Sequence, residues 1–312
     1  VPYPVLDVGD WSVMAVEFAG VDEKEWLAEA RHAQAASRAD WWLFKSVKHG
    51  VVKAPGGAVA GGYRRTDDRV EKIACELARL IDLPSAEIEL AVRGSAEGLL
   101  SRNVMTEGAE LQPADVMLSE YPGYVSCAQD RKMKERPGHN LANIRELLSP
   151  MFGPPDSLAA DWPAFDVFAG YLVFDAWIAN ADRHAMNWAV LRTADTDHLA
   201  KTFDHGSALG SGLTDVARCR ELERGLAAWC RRGVAHRFEN GRATTLVEHA
   251  LSAVRDAGAR ASEWVERLGS LDRASWQAVI DCAPGMSDGE RRFIDAVLVE
   301  NRRRLCDDSR DA

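Results

Sequence analysis

Over roughly the first hundred residues, apolar and polar positions alternate in short blocks; beyond that they settle into long helical repeats. Val13-Met14-Ala15-Val16-Glu17-Phe18 reads as a strand, and Asp22 followed by Glu25 predicts a capped helix through Arg31. Trp41 to Val47 is an apolar run carrying Lys45 near its end, bounded by Gly50 and the Gly/Ala-rich tract Pro55 to Gly62, which predicts a strand and a turn. Val70, Ile73, Ala74, Leu77, Leu80 and Ile81 recur at helical spacing, so a helix opened by Thr66 or Asp67 runs to Asp82 and stops at Leu83-Pro84. Ala86 to Val92 alternates with period two, and Gly98 to Val104 follows at hairpin distance. Together these form a small sheet carrying one helix.

From about Leu111 the texture changes. A basic loop (Gln129 to His139) leads into helical patterns at 141–148, 162–178, 215–232, 244–268, 274–282 and 288–304. The expected layout is α+β: a small β-rich N-lobe with one helix over residues 1–108, joined to a larger α-helical C-lobe over 109–312. The most apolar stretch, Phe165 to Ile178, still contains Asp166 and Asp175 and falls short of the roughly 20 apolar residues of a membrane span, so it reads as a core helix.

Composition narrows the function classes. The 312 residues carry a formal net charge of −10, which argues against direct nucleic-acid binding, since such domains are usually basic. No polybasic amphipathic helix offers a membrane surface a partner. The N-terminus lacks a basic segment followed by an apolar one, and six scattered cysteines form no C-x-x-C pattern, so a reducing cytoplasm is the expected location. The run Arg131 to Arg136 reads as solvated loop charge.

The chemistry concentrates in Asn180-Ala181-Asp182-Arg183-His184-Ala185-Met186-Asn187, a polar stretch between two apolar elements. Asp182 and Asn187 have the Asp-to-Asn spacing of a kinase catalytic loop, where the Asp orients the attacking hydroxyl and the Asn holds Mg²⁺. Phe203-Asp204-His205-Gly206 supplies a second carboxylate beside a glycine, a suitable oxygen ligand for Mg²⁺. Lys45 on a strand and Glu71 on the next helix complete the ordered set of a phosphate-binding ion pair; Glu76 competes for the Glu71 role. There is no Gly-Lys dipeptide, no His-Glu-x-x-His and no G-x-S-x-G elbow. The rivals are a metal-dependent phosphohydrolase built on Asp182, His184, Asp204 and His205, and a pseudokinase or nucleotide-binding scaffold.

Asp182, His184 and Asn187 match the Asp-x-His-x-x-Asn loop of HipA-like kinases, a group related to phosphatidylinositol kinases within the protein-kinase-like superfamily. The segment Glu71 to Pro84 also resembles that family's helix, and the similarity spans roughly Trp41 to Leu209. The resemblance implies a bilobal protein-kinase-like fold and an ATP- and Mg²⁺-dependent transfer to a hydroxyl acceptor, with protein Ser/Thr as first choice and a small molecule as the alternative. It implies that Lys45, held by Glu71, binds the phosphates and that Leu99 to Val104, with Ser101 and Asn103, forms the adenine hinge. Asn187 and Asp204 would hold Mg²⁺, Asp182 would orient and deprotonate the acceptor, and His184 would support the loop. Two positions depart from the family pattern: Gln34 to Arg38 has no glycine, and the glycine that often precedes the catalytic loop is Ala179 here.

Overall fold

The computed structural model describes residues 1–17, 24–53, 59–126 and 135–308. The N-terminal part holds β1 (Val5–Asp7), β2 (Ser12–Glu17), β3 (Lys24–Ala28), β4 (Trp42–Ser46), β5 (His49–Lys53), β6 (Val59–Arg64), α1 (Asp67–Leu80), β7 (Ile88–Arg93) and β8 (Ala96–Arg102). A six-stranded sheet runs in the order β1-β7-β8-β4-β3-β2, while β5 and β6 form a separate hairpin.

The expected helix from Asp22 to Arg31 is instead β3 over its described part. Lys24–Ala28 pairs antiparallel with β2 on one side and β4 on the other, so two ladders of backbone hydrogen bonds outweigh the acidic cap-like pattern that suggested a helix. The glycine- and alanine-rich tract beginning at Pro55 and the basic run at Arg131 lie partly outside the described residues.

Helix α1 buries Val70, Ile73, Ala74, Leu77 and Ala78, the stripe its spacing predicts. Thr66 stands at its N-cap position but makes no side-chain cap: its hydroxyl donates to Ser211 O at 3.3 Å and accepts from Arg218 Nη2 at 3.2 Å. The start of α1 is thereby tied to the segment that follows Asp204.

The remainder contains β9 (Glu110–Pro113), α2 (Ala114–Leu118), α3 (Leu141–Leu148), α4 (Ala164–Trp177), β10 (Ala189–Arg192) and β11 (His198–Leu199), then α5 (Asp215–Arg224), α6 (Leu226–Arg231), α7 (Leu246–Asp256), α8 (Ser262–Ser270), α9 (Arg273–Asp281) and α10 (Asp288–Asp308). All fourteen residues of α4 are buried, as expected of a helix apolar on every side at the centre of a helical layer. It packs against α7, α8 and α10. Among the described residues, no helix is long and apolar enough to cross a membrane.

Two long helical patterns are broken. Gly225, with φ of 85°, separates α5 from α6, a backbone state that favours glycine. Between α7 and α8 the amides of Gly258 and Arg260 donate to the Asp166 carboxylate at 2.8 and 3.2 Å, and a Cβ at Gly258 would lie 2.7 Å from Asp166 Oδ2. A buried carboxylate in α4 thus sets where the chain turns.

Candidate functional site

Lys45 comes from β4, a strand with partners on both sides, and Glu71 from the second turn of α1. The Lys45 ammonium donates to Glu71 Oε1 at 3.1 Å and to Asp204 Oδ1 at 2.9 Å. Burial alone would lower the Lys45 ammonium, but Asp204 and Glu71 outweigh it and hold it above its ordinary value. The lysine charge, against the opposing effect of burial, keeps Asp204 well below the usual carboxylate range. Glu71 is deeper: burial raises it, and the Lys45 charge opposes that. Glu76, the competing helical glutamate, pairs with Lys72 at 2.9 Å and Arg79 at 2.8 Å instead.

Asp204 itself sits at φ of 63°, a left-handed conformation rare for a residue with a side chain. Phe203 packs beside Val104 against two apolar clusters, one with Ile88 and Leu99 from the N-terminal sheet, the other with Ala189 and Leu191. Gly206 lies so close to α1 that a Cβ would meet Glu71 Oε2 at 3.0 Å. The Asp204 segment is therefore clamped between both halves of the fold.

The polar loop after α4 begins at Ala179, whose φ of 54° explains why glycine suits that position. Asp182 O accepts from His184 N at 2.8 Å and from Asn187 Nδ2 at 2.9 Å. This bond uses the Asn187 amide nitrogen and leaves its Oδ1 as an acceptor. His184 accepts from Met186 N at 3.2 Å; burial lowers its ring most, while the Asp182 and Asp204 carboxylates pull the other way.

Three residues at the site, Arg183, Arg237 and Lys24, escaped the sequence reading. Arg183 is buried and forks onto Asp175 of α4, donating Nε to Oδ2 at 2.7 Å and Nη2 to Oδ1 at 2.8 Å, with Nη1 on Asn187 O at 2.7 Å. Arg183 Nη2 also contacts His205 Nε2 at 3.2 Å, so the neighbours of Asp182 and Asp204 meet behind the site. Since arginine only donates, His205 Nε2 accepts, and burial drives this ring well below its ordinary value. Arg237 reaches Asp182 from a distant segment, and Lys24 is the direct cross-strand partner of Lys45. An Asp in the middle of an apolar helix was the one available signal, for it demands a buried partner.

Ser101 and Asn103, expected at an adenine hinge, are engaged within the fold. Ser101 is buried in β8 between Leu43 and Ile88. Asn103 uses its backbone N–H on Trp41 O, its Nδ2 on Arg38 O and its Oδ1 on Met105 N. A polar cavity of about 330 Å³ borders Asn103 to Glu107 and Lys201, but neither Lys45, Asp182 nor Asp204 lines it.

The arrangement is one ammonium set between two carboxylates, with an amide oxygen on the adjacent loop. Hard oxygen donors from one Asp and one Asn fit Mg²⁺, which takes few protein ligands and completes its shell with phosphate and water. No cluster of three or more His, Cys, Asp or Glu side chains forms a metal site among the described residues, and His205 is turned toward Thr202 and Arg183. A phosphohydrolase-type cluster through His205 is not assembled.

The whole chain superposes on a solved enzyme. The crystal structure of the Helicobacter pylori proinflammatory kinase CtkA matches over 99% of this chain and 98% of that one, with a TM-score of 0.64 and 18% identity. The fold is kinase-like. A HipA protein from Shewanella oneidensis MR-1, solved with HipB and operator DNA, matches more distantly, at a TM-score of 0.45 and 12% identity over 86% of this chain and 66% of that one. No protein-family model matches the sequence, and no curated protein does. At these identities the likeness establishes the α+β architecture of a small sheet and a helical part, and the reading of the site rests on its own residues.

Proposed function

We propose that this protein is an ATP-dependent phosphotransferase that moves the γ-phosphate of ATP to a hydroxyl, with Ser or Thr of a protein or peptide as the acceptor. The observation that carries this reading is the Lys45 ammonium set between Glu71 and Asp204 at 3.1 and 2.9 Å within a kinase-like fold. Lys45 binds the α- and β-phosphates, oriented by Glu71. Lys24, whose Cα pairs with that of Lys45, projects to the same face and adds a second cation for the phosphates; in their absence it reaches Glu17 at a long 3.7 Å. Ser101 and Asn103 belong to the strand end and connector that would border the base.

Asn187 and Asp204 are the residues that would hold Mg²⁺, which when bound supplies charge neutralisation on the phosphates. Asp182 takes the proton of the acceptor hydroxyl, and His184 keeps the loop in shape through Met186 N. Catalysis is mostly positioning and electrostatic stabilisation in a partly water-excluded cleft. The thiols of Cys75, Cys219, Cys230 and Cys282 support a reducing, cytoplasmic setting.

The test is transfer from γ-labelled ATP with Mg²⁺, comparing wild type with Asp182→Ala in a cell extract split into protein and small-molecule fractions. Label in protein that depends on Asp182 is the expected result. Label only in the small-molecule fraction makes it a metabolite kinase, and ATP binding without any Asp182-dependent transfer makes it a nucleotide-binding scaffold.

A further inference from the structure

Arg237 lies in the irregular segment between α6 and α7, 55 positions beyond Asp182, and nothing in its local sequence marks it. Its Nε and Nη2 both reach the same oxygen, Asp182 Oδ1, at 2.7 and 2.6 Å. Among the described residues Asp182 Oδ2 has no hydrogen-bond partner. Both side chains are more than a quarter exposed, 27% and 28%. An ion pair this wet contributes little to stability, about 0–1 kcal/mol.

Yet the arginine is held in place with unusual care. Its carbonyl accepts from His139 Nδ1 at 2.7 Å, and His139 Nε2 in turn accepts from Trp188 Nε1 at 3.2 Å. The His139 ring stacks on Phe238 with centroids 4.5 Å apart and planes 11° apart, and Glu239 N donates to His139 O at 2.8 Å. Trp188 immediately follows Asn187, so the segment carrying Arg237 is pinned to the end of the loop whose carboxylate the arginine meets. Burial keeps His139 down at about 4, so the ring is neutral near neutral pH, and only a neutral ring can accept from Trp188 while donating to Arg237 O.

We propose that Arg237 is the positioning residue of phosphoryl transfer, holding Asp182 by Oδ1 so that Oδ2 alone faces the acceptor hydroxyl. The inference rests on the phosphotransferase reading. In the step it serves, the acceptor O–H gives its proton to Asp182 Oδ2, the acceptor oxygen forms a bond to the γ-phosphorus, and the bond from that phosphorus to the β–γ bridging oxygen breaks. ADP leaves with the electron pair. Without Arg237 the carboxylate rotates freely and carries an unbalanced negative charge beside the incoming triphosphate.

The experiment measures transfer from γ-labelled ATP with Mg²⁺ to myelin basic protein and to the enzyme itself, alongside ATP affinity by titration and melting temperature. It compares wild type, Arg237→Ala, Arg237→Lys and Asp182→Ala, each with and without methylguanidine. Arg237→Ala is expected to lose about 100-fold in kcat, the scale of a general base put out of position, with ATP affinity kept within about twofold. Methylguanidine should restore at least about tenfold to Arg237→Ala and nothing to Asp182→Ala, and Arg237→Lys should fall between wild type and alanine because it loses the fork. Undiminished transfer by Arg237→Ala, or a loss that methylguanidine does not repair, overturns the inference while leaving the phosphotransferase reading standing. Absence of transfer by the wild type to either acceptor overturns both.

Discussion

Asp175 and Arg183, each about 2% exposed, face each other through two parallel N–H···O contacts at 2.7 and 2.8 Å, so the helix at the centre of the fold is bolted directly to the polar loop. Asn180 Nδ2 takes a further place on Asp175 Oδ1 at 2.7 Å. Burial raises Asp175, and the Arg183 charge opposes that rise. A buried pair is costly to break because the survivor is left charged without water. Arg183→Met is therefore expected to destabilise the fold by about 3–5 kcal/mol in urea unfolding. Arg183→Lys should recover only part of this, since an ammonium cannot reach Asp175, Asn187 O and His205 together. A loss below about 1 kcal/mol for Arg183→Met would mean the pair is dispensable.

How much of this was legible depends on whether a residue's role is written locally. Lys45, Glu71, Asp182, Asn187 and Asp204 stand out in the sequence because each sits at a fixed place on its own element and their order along the chain is the order proposed for phosphoryl transfer. The ion pairs of Lys45 bring its strand together with Glu71 and Asp204. At Lys24–Ala28 the pattern of Asp22 followed by Glu25 mimics a helix start, while the strand state is imposed by β2 and β4. Arg237 and His139 had no local signature at all: their meaning comes from a contact 55 residues away and from a ring stacked in another segment. The helix breaks depend on Gly225 and on Asp166 capping a distant turn, which periodicity does not see.

Three histidines whose rings are desolvated by packing, two of them buried, give the fold a defined acid limit. Burial lowers His139 and His249 to about 4 from an ordinary value of 6.5, and His205 well below it. With the folded value depressed, the unfolded chain binds more protons between these limits, so this stability is fully present above the unfolded value and drains as pH falls toward the folded one. For His139 the difference corresponds to about 3 kcal/mol. Urea unfolding at about pH 7 and about pH 5 should show a marked drop. His249, whose ring centroid lies 4.2 Å from that of Phe238 and whose Nε2 has no partner among the described residues, can be replaced by Leu with little change of volume. His249→Leu should reduce the slope by about 1.4 kcal/mol per pH unit below the unfolded value. A stability that is level across this range would show that these rings titrate alike in both states.

Lys24 offers a cleaner probe of the nucleotide than Lys45, because it is not part of the triad with Glu71 and Asp204. Lys24 faces the Lys45 ammonium but also the Glu71 and Asp204 carboxylates, which its charge helps keep ionised, so Lys24→Met should change stability by no more than about 1 kcal/mol in the absence of ligand. A charge-assisted contact to phosphate is worth about 1.5–3 kcal/mol, so the same variant should weaken ATP binding by about tenfold or more. Binding of adenosine, which has no phosphates, should not change. Equal weakening of ATP and adenosine would assign Lys24 to the shape of the sheet and not to phosphate recognition.

Asp182 and Asp204 are both carboxylates near His184, yet their partners differ in a way that separates their effects. Asp204 is tied to Lys45, so removing it disturbs the group proposed to grip the phosphates and removes an oxygen proposed for Mg²⁺. Asp182 is tied to Arg237 on the far side of the loop and touches neither Lys45 nor Glu71. Asp204→Ala should therefore abolish the Mg²⁺-dependent part of ATP affinity together with transfer, measured by titration with and without the metal. Asp182→Ala should keep ATP affinity within a few-fold while transfer falls by about 10²–10⁴, the contribution of a positioned base. The two variants must first be shown folded, since Asp182 O also anchors His184 and Asn187, although those bonds use the backbone and survive the substitution. If both variants lose nucleotide affinity and transfer in equal proportion, the carboxylates act as one electrostatic unit and the separate roles assigned to them are wrong.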